Sequence, residues 1–251
     1  MEATFTNPET GEPAVSHVRW ALESGKHVAT TNKGPVALAG RELLELAHRS
    51  GRRFEFEGAV MSGTPVLRFA ARQLAGARIS AVQGILNGTS NYILGRLADG
   101  LDLPAAIAEA QALGYAEADP TADVGGSDVR LKVAILAQQV LGADLGADEI
   151  PTTGITGITA SDIADAARDG RQWRLVGTAE RGADGVVTAS VAPVALPADH
   201  PLAAISGPTN AVTFDTGMLG RVTVSGPGAG RIETAYALLS DIIAIHGGSG
   251  R

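Results

Sequence analysis

The 251-residue chain contains no cysteine. That one absence excludes disulfide frameworks, zinc–thiolate sites, iron–sulfur clusters and thiol nucleophiles. Aromatic residues are scarce, at 4%. No apolar run approaches the ~18 residues that a membrane-spanning helix needs, and the N-terminus lacks the basic-then-apolar pattern of a secretion signal. Lys and Arg total 20 against 27 Asp and Glu, a net charge of −7. With no basic run either, neither nucleic acid nor a membrane surface is an expected partner, and a cytoplasmic protein is the default. Also missing is any G-x-G-x-x-G fingerprint or phosphate-binding P-loop. The run Gly226-Pro227-Gly228-Ala229-Gly230 follows a strand and opens a helix, but no second strand or acidic selector follows it. It can touch a ligand without being the primary pyrophosphate cradle.

What is present is an ordinary soluble composition, 45% hydrophobic and 19% charged, over a length that suits one large or two modest domains. Glycine is abundant, 32 residues, nearly twice the usual ~7%, and falls in separate short turns. Apolar periodicity predicts helices over 14–24 and 33–48, each followed by a short strand (the β-branched run 26–31 before the second helix, 53–56 after it). This α-β-α-β rhythm belongs to a parallel sheet with helical crossovers. A turn over 58–65 leads to a helix ending near 74 and a strand over 78–83. Further helices are expected over 92–97, 104–113, 128–141, 161–169 and 231–246, with strands over 174–181, 186–194 and 221–225. Trp20 and Trp173 read most simply as core pieces. The five histidines are scattered without metal-ligand spacing, and no serine has nucleophile-elbow context.

The densest polar stretch runs from Gly114 to Lys132. Its carboxylates fail the calcium-loop spacing, because the required glycine would fall on Val124 and the closing Glu on Arg130. Asp128 and Lys132 form an i,i+4 pair on one helix, with Lys132 at the border of the apolar stripe Val129, Val133, Leu136 and Val140. Such a lysine can exchange a proton in a partly dry site, but spacing by itself favours a solvated ion pair. Lys33 stands at the C-terminal end of a parallel strand, the edge where ligands gather in open α/β sheets; a plain turn lysine fits as well.

Three blocks together resemble homoserine dehydrogenase: Thr31-Asn32-Lys33; the Gly84–Leu94 segment containing Asn87-Gly88-Thr89-Ser90-Asn91; and Gly114-Tyr115-Ala116-Glu117-Ala118-Asp119-Pro120-Thr121-Ala122-Asp123 continuing through Asp128 to Lys132. The likeness covers most of positions 10–246. It implies interconversion of L-homoserine and L-aspartate 4-semialdehyde with NAD(P). Under that resemblance, Lys132 is the proton donor and acceptor, Asp128 binds the substrate hydroxyl side and orients the lysine, and Lys33 is a second active-site lysine near substrate and nicotinamide. Glu117 would hold the substrate ammonium, with Tyr115, Asp123, Asn87, Gly88 and Thr89 around the substrate. Gly114 and Gly230 would lie against the cofactor. The turn carrying Glu57, Val60, Ser62 and Thr64 is similar to a sodium site, held by carbonyls or side chains.

The implied architecture is α/β: residues 1–57 as the second half of a Rossmann-type nucleotide-binding sheet, joined by a C-terminal helix within 226–251, and residues 58–225 as an α/β substrate and dimerisation domain of a homodimer. Family members begin with a glycine-rich βαβ fingerprint. At ~30 residues per βα pair, about 80–100 residues of that kind would precede Met1, so this chain taken alone is expected to be catalytically impaired. The alternative is a non-catalytic dimerising or amino-acid-binding module derived from the same family.

Overall fold

The computed structural model describes residues 1–247. Its first unit is built from α1 (Ala14–Glu23), β1 (Val28–Ala29), α2 (Lys33–Arg49) and β2 (Phe54–Glu55). The two strands pair in parallel, Val28 opposite Phe54, with α2 as the crossover. Helix α1 buries Ala14, Val15, Val18 and Leu22. Trp20 lies two residues from both Val18 and Leu22, about 160–200° around the helix from each. It therefore faces solvent, 63% exposed, with the Lys26 ammonium 4.7 Å from its ring centre. That corrects the expectation of a core tryptophan.

The second unit holds a five-stranded sheet in the order β5-β4-β3-β6-β7: β3 (Ile79–Ile85), β4 (Arg171–Arg181), β5 (Val187–Pro197), β6 (Thr209–Thr216) and β7 (Gly220–Pro227). Every pairing in it is antiparallel. The mixed α/β character is thus divided, with the parallel crossover in the first unit and, in the second, two short-turn hairpins (β4–β5 and β6–β7) and a long helical connection between β3 and β4. In place of the helix expected up to position 74 there is a five-residue π-helical turn, Phe69–Gln73. Helices α3 (Gly88–Ala98), α4 (Leu103–Ala112), α5 (Thr121–Val124), α6 (Ser127–Leu141) and α7 (Ala160–Arg168) complete this unit.

Helix α6 lies across β3, β4 and β5 with nearly all of its length buried. It approaches closest at Gly177 of β4, where an added Cβ would press into Val133 and come within 3.0 Å of Val129 Cγ1. Gly177→Ala is expected to cost about 1–3 kcal/mol by overpacking, read as a lower urea midpoint at unchanged slope. An unchanged midpoint would show that α6 does not depend on that bare backbone.

The chain then returns. Helix α8 (Arg231–Gly247) packs on β1, β2 and the turn at Glu57–Ala59. Asp241 on its inner face is fully buried and accepts from Arg68 Nη2 at 2.5 Å and from the Glu57 N–H at 3.2 Å. The opposite stripe, Ile232, Tyr236, Leu239 and Ile243, is exposed. Among the described residues, no helix is long and apolar enough to cross a membrane.

Candidate active site

A cavity of about 910 Å³ opens between the two units. Four local devices deliver its polar groups. At the end of β1, the buried Glu2 carboxylate accepts from the Thr30 hydroxyl (2.7 Å) and the Asn32 side-chain amide (2.9 Å), pinning the loop from which Lys33 opens α2. Burial opposes the Glu2 charge, but hydrogen bonds from Thr4, Thr30 and Asn32 prevail and hold its pKa low. Asn87 caps α3 by accepting the Ser90 N–H at 2.8 Å. Gly126, at φ +84°, turns the chain so that α6 begins with Asp128 in its first turn, where a carboxylate suits the positive end of the helix. One turn on, the packing of α6 against the sheet carries Lys132 inside, 9% exposed.

These devices converge on Asp128. Its Oδ1 lies 2.8 Å from Lys33 Nζ and its Oδ2 lies 2.8 Å from Lys132 Nζ. Asn87 Nδ2 donates to Asp128 Oδ2 at 2.9 Å and to Asp123 Oδ1 at 2.6 Å. Lys132 also donates to the Leu86 carbonyl at 2.6 Å. Burial alone would raise the Asp128 pKa, yet the Lys132 and Lys33 ammoniums and the Asn87 amide outweigh it and hold the carboxyl well below the usual range. Lys132 moves the other way: burial lowers it, with a further push from Lys33, against the attraction of Asp128. Lys33 is raised by Asp128 despite its burial, and Asp123 is raised by its own burial. The two lysines are therefore unlike. Lys33 keeps its proton firmly, whereas Lys132 is positioned to lose and regain one.

Lys33, Asn87, Gly88, Thr89, Gly114, Tyr115, Glu117, Asp123, Asp128, Lys132 and Gly230 all line this cavity. Glu117 is exposed at its edge. The Thr89 hydroxyl donates to the Tyr115 carbonyl at 2.5 Å, and the Tyr115 ring meets Tyr92 edge-on with centroids 5.0 Å apart, which ties the 114–117 loop to α3. The glycine run 226–230 forms the facing wall, with Gly230 at φ +139°, a conformation essentially confined to glycine. Sequence reading missed three contributors. Glu2 was hidden in a turn-rich opening, the Leu86 carbonyl has no side-chain signal at all, and Asn210 lies on β6, a strand not anticipated although Val212, Thr213 and Phe214 could have signalled it.

The turn suggested for sodium is different in kind. Of its four residues, only Ser62 lines the cavity. The Glu57 carboxylate is already committed, accepting the N–H groups of Val66 (2.7 Å), Leu67 (2.8 Å) and Arg68 (2.8 Å) and the Arg68 guanidinium (3.0 Å). The Thr64 hydroxyl donates to the Pro227 carbonyl, and Ser62 Oγ is 3.0 Å from Thr234 Oγ1. The Glu57 side chain is thus no candidate ligand, and the turn offers only neutral oxygens. Among the described residues no cluster of three or more His, Asp or Glu could hold a metal ion.

The family profile described as homoserine dehydrogenase matches residues 65–243. The NAD(+)-dependent homoserine dehydrogenase of Pseudomonas canavaninivorans is 60% identical over 245 residues, which is 98% of this chain and 70% of that protein. Among solved structures, a homoserine dehydrogenase from Thiobacillus denitrificans superposes with a TM-score of 0.90 at 36% identity, covering 93% of this chain and 54% of that one. A hyperthermophilic archaeal homoserine dehydrogenase in complex with NADPH gives 0.82 at 32% identity, covering 97% of this chain and 70% of that one. The chain therefore spans between about half and seven-tenths of these relatives.

Proposed function

The chain belongs to the homoserine dehydrogenase family, and from that premise we propose that its larger cavity binds L-homoserine and L-aspartate 4-semialdehyde and that Lys132 moves the proton between them. The observation that carries this reading is the Lys33–Asp128–Lys132 bridge, in which one buried carboxylate serves two lysines of opposite pKa tendency. A bound NAD(P) would supply the hydride chemistry at the alcohol carbon, with Gly114 and the 226–230 wall bordering it. The residues present fit its nicotinamide end, because the glycine wall 226–230 puts no large side chain into the cavity opposite Lys33. No phosphate-cradling glycine loop is found in the sequence.

In oxidation, neutral Lys132 accepts the hydroxyl proton; in reduction, its ammonium donates one to the oxygen on which negative charge develops. Asp128 holds both ammoniums in place, and Lys33 keeps a fixed positive charge beside the reacting oxygen. Glu117 at the cavity edge is the partner for the substrate ammonium, with Tyr115, Asp123 and Asn87-Gly88-Thr89 around it. Gly114 and Gly230 border the cofactor side. A sodium ion in the 57–64 turn would rest on carbonyls of Glu57, Val60 and Ser62 and the Thr64 oxygen, a neutral set that suits a monovalent cation better than a divalent one. A homodimer formed through the substrate unit belongs to the same reading; sedimentation as a monomer would refute it.

The test is a pH profile, measured with NAD(P) on a catalytically competent polypeptide that contains this sequence. kcat/KM for homoserine oxidation should rise with pH as Lys132 loses its proton, and for semialdehyde reduction it should fall on the same group. Asp128→Asn removes the attraction that retains that proton, so the rise should shift to lower pH as turnover drops. A flat profile would remove Lys132 from the chemistry.

A second reading, an amino-acid-binding module without catalysis, is favoured by one feature: the described parallel sheet has two strands. Titration of the 251-residue polypeptide with NADH and NADPH separates the two. With no phosphate-cradling glycine loop in this sequence, each charge-assisted phosphate contact not made forfeits ~1.5–3 kcal/mol, so cofactor binding by this polypeptide is expected to be weak. Micromolar binding would mean that some segment read as structural holds the dinucleotide.

A further inference from the structure

A second cavity, of about 570 Å³, is walled by α3, α7, the start of β4 and the segment 206–207. Its size falls within the ~300–1,000 Å³ range of small-molecule sites. It is lined by three arginines, Arg96, Arg171 and Arg174, and one acid, Asp99. Asp99 is already bound to Arg96 at 2.6 Å, and Arg96 also meets Glu109 at 3.2 Å.

Arg174 is the anomaly. It is 6% exposed, yet among the described residues no carboxylate pairs with it. Its guanidinium donates only to neutral acceptors: the Trp173 carbonyl (2.8 Å), Gln172 Oε1 (2.6 Å) and the Ala203 carbonyl (2.7 Å). Its buried Nε–H has no acceptor. A buried charge costs several kcal/mol unless an opposite charge compensates it. Arg171, exposed at the rim, adds a second cation bound only to the Ala195 carbonyl.

We propose that this cavity is a binding site for a small oxyanion-bearing ligand, a carboxylate or a phosphate, that supplies the negative charge Arg174 lacks. The cavity also shares its walls with the first. Residues 87–89 at the α3 start line the first cavity and Tyr92 with 94–96 line the second; 206–207 line the second and 208–210 the first. Asn91, 1% exposed, joins the two segments by donating to the carbonyls of Gly207 (2.9 Å) and Ile205 (3.3 Å). A ligand that shifts the C-terminal half of α3 therefore acts on the helix that holds Asn87 against Asp128. This coupling rests on the first cavity being the homoserine site.

Trp173 lines the second cavity, its indole N–H donating to the Asp162 carbonyl at 3.0 Å, and the chain's other tryptophan, Trp20, is exposed on α1. Trp20→Phe leaves Trp173 as the sole indole reporter. Inorganic phosphate and succinate are titrated separately against potassium chloride at matched ionic strength. A saturable Trp173 fluorescence change is expected in at least one arm, and the arm identifies the source of the oxyanion. Arg174→Gln should weaken it about tenfold or more. Arg171→Gln, on the rim and safe for folding, should weaken it a few-fold even if the first variant fails to fold. Responses indistinguishable from chloride, or an affinity untouched by Arg171→Gln, overturn the site. Calorimetry with homoserine then reads the coupling. Anion binding that leaves homoserine affinity unchanged overturns the coupling alone, whereas homoserine that never binds overturns the reading of the first cavity.

Discussion

Lys132→Met, in a catalytically competent polypeptide that contains this sequence, is expected to lower kcat for homoserine oxidation by about 10²–10⁴-fold, the usual contribution of a positioned proton-transfer group. The affinity for homoserine should change by no more than a few-fold, because Glu117 and the 87–89 turn remain. Methionine has a similar length and no charge, so it fits a position that is 9% exposed. It leaves Asp128 with one of its two cations, Lys33 at 2.8 Å, which keeps that carboxylate paired. Loss of turnover with retained binding therefore separates proton transfer from substrate holding. Normal turnover would refute the assignment. Binding lost together with turnover would instead make Lys132 a structural cation.

The largest stability effect is expected at Glu57, far from any proton transfer. Glu57→Ala removes the acceptor of two buried and one partly buried backbone N–H group, and one of the two carboxylates that hold Arg68. Leaving such groups unpaired costs about 3–5 kcal/mol, a fall of roughly 6–20 °C in Tm for a protein of this size. Glu57→Gln keeps one oxygen but turns an amide toward the arginine, so it should fall between. The nearby Asp241 adds a pH dependence. Burial pushes its pKa up to about 7, against the pull of Arg68. The folded state binds that proton more tightly than the unfolded chain does, so this group's contribution is fully present below the ordinary aspartate range and is lost as pH rises through about 7. Asp241→Asn should flatten that loss. A thermal melt of Glu57→Ala within about 2 °C of the parent would show that the turn reorganises around other acceptors.

Much of this was legible locally. The apolar stripes marked α1, α2 and α6, and the block from Gly114 to Lys132 carried its acids and lysine in register. What could not be read were the contacts that determine which lysine is dry. From i,i+4 spacing the Asp128–Lys132 pair looks solvated. It is buried because α6 lies on a sheet whose strands come from 79–85 and 171–197, and because the Leu86 carbonyl, 46 residues away in sequence, accepts from Lys132. Lys33 reaches Asp128 across 95 positions for the same reason. The Glu57 side chain is a second case: its place in the turn left carbonyl and carboxylate alike as cation ligands, and only the fold reveals that neighbouring N–H groups already occupy the carboxylate oxygens. Periodicity reports which face of an element is apolar; it does not report what that face meets.

The return of α8 has a consequence for how the polypeptide is made. Glu57 meets Asp241 across 184 positions and Arg53 meets the Ala244 carbonyl across 191, so β1 and β2 take their covering helix from a segment synthesised long after them. At ~5–20 residues per second, the parallel pair waits roughly 10–40 s on the ribosome with one side uncovered. During that interval α6 and the β4–β5 hairpin it packs on are already synthesised, whereas β7, ending at Pro227, is completed only just before α8. A nascent chain stalled before residue 231 would therefore lack Thr234 of the cavity lining and leave the parallel pair open on the side that α8 covers.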